Sequence, residues 1–234
     1  MNNKIINASL GAVMLFSACF VNVAIAGLID RGNGMIYDDV QNITWLQNAN
    51  LAGARMNWDT SVAWADNLDF GGFSDWRLPT INISTQDGRC DYSTTGGTDC
   101  GYNVLTANSE LAYMFYENLG NVAYYDTNGN SAQTGFDSLN TSFTDALTGD
   151  TVSFIDLNRA MYWLGTEYAP NTGGAWYFFT GYGGQNYSNK NDNFYAWAVR
   201  DGDIGAVDAT VPEPSTLAIL GLGLLGLITR KRQG

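Results

Sequence analysis

An α+β domain of two helices, short antiparallel strands and long loops is predicted from three features of the 234-residue chain. Segments rich in Gly, Asn, Ser, Thr and Tyr (91–104, 126–142 and 181–193) alternate with short apolar runs, as in a domain with long surface loops. Two stretches carry apolar residues at helical spacing, and no internal repeat of fixed period is present. Residues 27–210, 184 in number, suffice for one domain burying about 70% of its unfolded surface.

The first helix is predicted from about Trp58 to Leu68, with Asn57 as N-cap and Trp58, Val62 and Ala65 on one face. The second is predicted from about Ser109 to Leu119, with Asn108 as N-cap, Leu111, Met114, Phe115 and Leu119 apolar, and Gly120 placed to end it. Strands are predicted in "GMIYDD", "ITWLQN", "TVSFIDL", "AWYFFT" and "YAWAVRD".

The two ends of the chain carry transport signals. Lys4, an apolar run from about Ala8 to Val23 and the small-x-small string Ala24-Ile25-Ala26 predict a signal peptide over 1–26, cut by signal peptidase before Gly27. Ala18-Cys19 offers a lipoprotein reading, but Phe16 stands where such sites usually carry Leu. At the other end, residues 215–229 make a helix of about 22 Å, short of a hydrocarbon core of about 30 Å, so transient inner-membrane anchoring is expected rather than a permanent span. The basic Arg230, Lys231 and Arg232 stay cytoplasmic and place the rest of the chain outside. Pro212 and Pro214 keep the preceding backbone extended, after a linker over 204–211.

Export bears on the cysteines. With Cys19 lost, Cys90 and Cys100 remain, and an oxidising compartment predicts that they close one disulfide; a reactive thiol pair is the alternative, with no His or nearby Lys to lower either pKa. Residues 27–210 hold 7 Lys and Arg against 22 Asp and Glu, a net charge of −15. That excludes nucleic acid, which requires a basic surface, and disfavours anionic membranes and sulfated polysaccharides. The chain contains no His, which removes Ser-His-Asp and Cys-His catalysis and His-containing zinc sites. Glu110 and Glu117, seven apart on one helix face, are the carboxylate pair a glycosidase reading would use.

Three stretches hold candidate sites. In "GGFSDWRLPT", Trp76 and Leu78 anchor a corner, Pro79 extends the chain, and Arg77 needs a buried carboxylate or carbonyl partner; a binding role is the alternative. In "YGGQNYSNKNDNFYAW", amides and a carboxylate at Gln185, Asn186, Asn191, Asp192 and Asn193 stand among the rings of Tyr182 and Tyr187, groups that hydrogen-bond sugar hydroxyls and cover sugar C–H faces; a polar exposed loop is the alternative. In "DTNGNSAQTGFD", Asp126, Asn128, Asn130 and Asp137 fall at calcium-loop positions, although Ser131 occupies the place that wants Gly. Calcium is the one cofactor these strings suggest. The seven Trp residues are expected in the core before any sugar platform.

Two resemblances follow from these strings. "VPEPSTLAILGLGLLGLITRKR", with Pro212, Glu213 and Pro214 before the apolar run, resembles the PEP-CTERM sorting signal. It implies processing by an exosortase and delivery to the cell surface or extracellular matrix of an exopolysaccharide-producing Gram-negative bacterium; an ordinary tail anchor is the other reading. "RGNGMIYDDVQNITWLQNA", "WDTSVAWADNL" and "DWRLPT", followed by Glu110-Leu111, Tyr162-Trp163, "AWYFFTGYGG" and Val199-Arg200, resemble the Lcl C-terminal-like family. This resemblance implies a C-type-lectin-like fold over 27–203, in which strands near the chain ends pair and a long loop region carries the ligand. The family's namesake adhesin binds sulfated glycans through basic residues, a ligand class that does not carry over to so acidic a domain. The expected function is a non-catalytic module for extracellular polysaccharide. A structural or adhesion protein that binds another surface protein is the runner-up, and a carbohydrate-active enzyme the third reading.

Overall fold

The computed structural model describes residues 27–205. Strands β1 (Leu28–Asp30), β2 (Met35–Asp38) and β3 (Ile43–Leu46) run as a meander. The β1–β2 turn uses left-handed backbone at Asn33 (φ 54°) and Gly34 (φ 80°), two residues that tolerate it. Asp38 closes the next turn by accepting from the Val40 and Gln41 amides at 3.0 Å. It is fully buried, and burial pushes its pKa up despite these donors and that of Asn118.

Helix α1 (Trp58–Asp66) is capped by Asn57, as predicted, and ends two residues before the expected Leu68. The long segment that follows reaches β4 (Gly101–Tyr102). The second helix departs from expectation. Its N-cap is Ser109, not Asn108, and α2 is α-helical only over Glu110–Tyr113 before widening into a π turn at Met114–Asn118. Asn108 instead ends a 3₁₀ turn and donates its side-chain amide to Asp99. The widened turn carries Asn118 to the Asp38 carboxylate, 2.6 Å away. Gly120 ends the helix at φ 62°.

A hairpin of β5 (Ser142–Thr144) and β6 (Thr151–Ser153) precedes β7 (Met161–Glu167), β8 (Gly174–Phe179), β9 (Gly184–Asn189) and β10 (Val199–Asp201). Two four-stranded sheets result, ordered β1-β2-β3-β10 and β4-β9-β8-β7, with antiparallel pairing. The last strand thus returns beside the first three, Val199 opposite Trp45. The predicted strands are present but shorter, "TVSFIDL" only as Thr151–Ser153 and "YAWAVRD" only as Val199–Asp201. Five strands were not predicted: β1, β4, β5, β7 and β9. The α+β architecture stands.

Five of the seven Trp residues (45, 76, 163, 176 and 197) are at most 2% exposed and fill the core; Trp58 and Trp64 pack partly buried against it. Trp45 and Trp197 lie 4.6 Å apart, and the Trp197 indole donates to the Leu46 carbonyl. Ile204 also packs on this core and Asp203 pairs with Arg31, so the domain's contacts run past residue 203. The signal peptide (1–26), the sorting signal (212–234) and most of the linker lie outside the described residues. Among the described residues no helix is long and apolar enough to cross a membrane.

Arg77 finds the partner it needs. Its guanidinium grips Glu110 with two bonds of 2.7 and 2.8 Å and also donates to Asp201, while its backbone pairs with Val199 in both directions at 2.8 Å. Burial alone would lower its pKa; the two carboxylates outweigh burial and raise it. Trp76 and Leu78 are buried on either side and Pro79 is buried after them. The Trp-Arg-Leu-Pro string is a structural corner.

Removing one partner of such a pair strands a charge in a half-buried site. Arg77→Met is expected to cost about 3 kcal/mol in urea unfolding, and adding Glu110→Gln to recover part of it. Additive losses would show that the pair is not coupled.

Candidate functional site

Strand alternation divides the residues of β8 and β9 between two faces. Trp176, Phe178 and Gln185 point inward; Phe178 meets Phe115 of the second helix at 5.2 Å. Tyr177, Phe179 and Asn186 point outward, Asn186 directly opposite Tyr177. Tyr102 of β4, opposite Gly184, joins them, and Tyr92 stands edge-on to Tyr102 at 6.3 Å. The outcome is a shallow cleft of about 60 Å³ lined by Tyr92, Tyr102, Tyr177, Phe179 and Asn186, more a platform than a pocket. Tyr125, Tyr124 and Tyr182 extend the aromatic surface by ring contacts of 4.9 to 5.5 Å, ending on Phe179.

The disulfide holds this platform's edge. Cys90 and Cys100 are bonded, and the Asn186 carbonyl oxygen lies 3.8 and 3.7 Å from their sulfurs. Ser93 and Gly101 bridge next to it, which sets Tyr92 against Tyr102. Burial pushes the Tyr102 hydroxyl up to about 12, with Tyr92 adding to it. Burial, then the Tyr92 and Asp192 charges, also raise Tyr177. Both hydroxyls therefore remain O–H donors at physiological pH.

The predicted ligand loop is mostly not a loop. Gln185 is 1% exposed: its carbonyl accepts from the capping Ser109 hydroxyl and its amide donates to the Asp99 carbonyl, both at 2.7 Å. It is a core bracket rather than a ligand group. Tyr187 leaves the inner side of β9 and stacks flat on Tyr168 at 3.7 Å, away from the cleft. Tyr182 lies in the β8–β9 turn beside Phe179, and Gly183 follows it at φ 65°, where a Cβ would come within 2.9 Å of Ala123 and Phe115. Asn191, Asp192 and Asn193 form the exposed turn after β9, with Asp192 accepting from Ser188 at 2.5 Å. Of the seven candidates, Asn186 and the buried Gln185 line the cleft and Tyr182 joins the aromatic surface beside it; Tyr187 and the turn residues Asn191, Asp192 and Asn193 do not line it.

The proposed calcium loop closes on itself. Asp126 accepts from the Asn128 and Asn130 backbone amides and from the Asn130 side chain, at 2.8 to 2.9 Å. Asp137 offers its backbone carbonyl to Arg159. Among the described residues no three acidic, His or Cys groups cluster as a metal site. Glu110 is engaged by Arg77 and by the Thr80 amide, and Glu117 accepts from Thr106.

The sequence reading missed Tyr92, Tyr102, Tyr177 and Phe179. Period-two alternation within "AWYFFT" was the available signal for the last two; for the first two it was the position of each two residues after a bonded cysteine.

Residues 34–86 match the family model of the Lcl C-terminal domain, and residues 210–233 match the PEP-CTERM protein-sorting motif. No curated protein and no solved structure matches the chain. The first match contains the Arg77 corner; the Arg77 partners Glu110 and Asp201 lie beyond it.

Replacing both cysteines (Cys90→Ser with Cys100→Ser) is expected to cost about 2.5 kcal/mol and to speed exchange of the Ser93 and Tyr102 amides. A variant with the parent's stability and exchange would show that the disulfide does not hold the platform edge.

Proposed function

We propose that this chain, which carries an Lcl C-terminal domain match and a PEP-CTERM sorting motif, is an exported, exosortase-processed surface or matrix protein that binds extracellular polysaccharide without catalysis. The observation that carries the reading is the outward face of the second sheet, where Tyr102, Tyr177 and Phe179 share one side with the Asn186 amide. Aromatic planes cover the apolar C–H face of a sugar ring, and hydroxyl and amide groups around them bond its hydroxyls. A shallow, extended platform suits a polymer better than a small molecule, which prefers an enclosing pocket of roughly 300 to 1,000 Å³.

A C-type-lectin-like assignment of the fold belongs to the same proposal; pairing of β10 with the N-terminal meander supports it. The protein-partner reading would need a contiguous apolar patch.

Retention of the purified protein on the producing cell's own exopolysaccharide tests the reading, with calcium and with excess chelator. Tyr177→Ala and Tyr102→Ala are expected to weaken retention about tenfold each, which corresponds to about 1.4 kcal/mol, while Tyr187→Ala does not. Retention unaffected by the first two would contradict the platform. Loss on chelation would place a calcium ion in the interaction.

A further inference from the structure

Resting on the platform reading, we infer that a groove beside it holds a carboxylate-bearing sugar, a uronic acid unit of the bound polysaccharide, between Arg55 and Arg159. The groove has a volume of about 240 Å³ and is lined by Arg55, Arg159, Ala160, Met161, Phe179 and Phe194. Phe179 also lines the aromatic cleft, so the two sites adjoin at its ring. The volume falls below the roughly 300 Å³ at which pockets for drug-sized ligands begin, and suits one ring of a longer chain.

The charge pattern points to the ligand. Between residues 27 and 205 there are seven cationic side chains. Five are paired with carboxylates: Arg31 with Asp203, Arg77 with Glu110 and Asp201, Arg89 with Asp87, Lys190 with Glu167 and Arg200 with Asp75. The remaining two, Arg55 and Arg159, have no carboxylate partner among the described residues, and both line this groove. In a domain whose acids outnumber its bases threefold, partners are plentiful, so two unpaired cations at one apolar groove mark a place where the counter-charge comes from outside.

Their surroundings favour this use. Arg159, also exposed, is positioned by neutral groups, donating to the backbone carbonyls of Asp137 at 2.5 Å, Gly181 at 2.7 Å and Phe136 at 3.4 Å, which fix its direction without neutralising it. Arg55 is exposed, with its guanidinium 6.0 Å from the Tyr195 ring centroid. A planar guanidinium fork matches a carboxylate with two parallel hydrogen bonds, whereas neutral hydroxyls leave its charge unanswered. The apolar floor of Met161, Phe179 and Phe194 would cover the ring that carries the carboxylate. The domain's overall negative charge does not forbid this, because exposed charges beyond about 8 Å are screened at physiological ionic strength while contacts within the groove are not.

The test measures binding of oligogalacturonate, of its carboxyl-reduced neutral counterpart and of a sulfated neutral oligosaccharide of equal length. The parent protein is expected to bind the uronate form about tenfold more tightly than the reduced form. Arg55→Gln, at a position with no side-chain hydrogen bond to lose, should erase that preference. Equal binding of uronate and reduced forms, lost in Tyr177→Ala, would overturn the carboxylate site while keeping the platform. Preference for the sulfated form would overturn the carboxylate assignment. No binding of any form would overturn both the groove and the platform reading.

Discussion

The fold depends on one half-buried ionic corner. Arg77 ties together three segments far apart in sequence: the Trp-Arg-Leu-Pro corner itself, the start of the second helix through Glu110, and the last strand through Asp201 and the Val199 backbone. From there the order propagates. Glu110 sits next to Ser109, whose hydroxyl both caps the helix and bonds Gln185, and Gln185 lies on the strand whose next residue, Asn186, faces the opposite side. Two hydrogen-bonded links, Arg77 to Glu110 and Ser109 to Gln185, joined by adjacent backbone, therefore connect the corner through the core to the strand that bears the aromatic platform. Polar groups this deep are tolerated because each is satisfied, and a partly satisfied network would be worse than an apolar core.

The charge distribution is equally ordered. Many acidic side chains either close their own turns, as Asp38, Asp126 and Asp145 do, or pair with a cation. Carboxylates used this way stabilise loops that have little apolar material to bury, which is how a domain with so many Gly- and Asn-rich segments keeps a defined shape. Against that background the aromatic platform is poor in charge, and the groove beside it holds the two cations that the domain's own acids leave alone.

What the sequence made legible was local. Asn57 before an apolar-periodic run announced its helix, the cysteine pair announced its disulfide, and an arginine lodged among Trp, Leu and Pro announced a missing carboxylate. The identity of that carboxylate, Glu110, was not legible, because a partner 33 residues away is a tertiary fact. The stretch 184–189 was read as loop because "GQNYSN" offers no apolar alternation; its inward face is secured by Gln185 hydrogen bonds and Tyr187 stacking rather than by aliphatic burial. The cap moved from Asn108 to Ser109 because Asn108 is drawn to Asp99. The platform itself was hidden for a related reason: Tyr92 and Tyr102 become neighbours of Tyr177 only when the disulfide loop folds onto the sheet edge.

The most direct test of the account is residue-level mapping by protein NMR during titration with fragments of the producing cell's exopolysaccharide. The account predicts that perturbed signals concentrate on Tyr92, Tyr102, Tyr177, Phe179 and Asn186, with Arg55 and Arg159 joining for acidic fragments. Perturbations confined to the 142–153 hairpin or to the exposed turn at 191–193, with the sheet face silent, would contradict it.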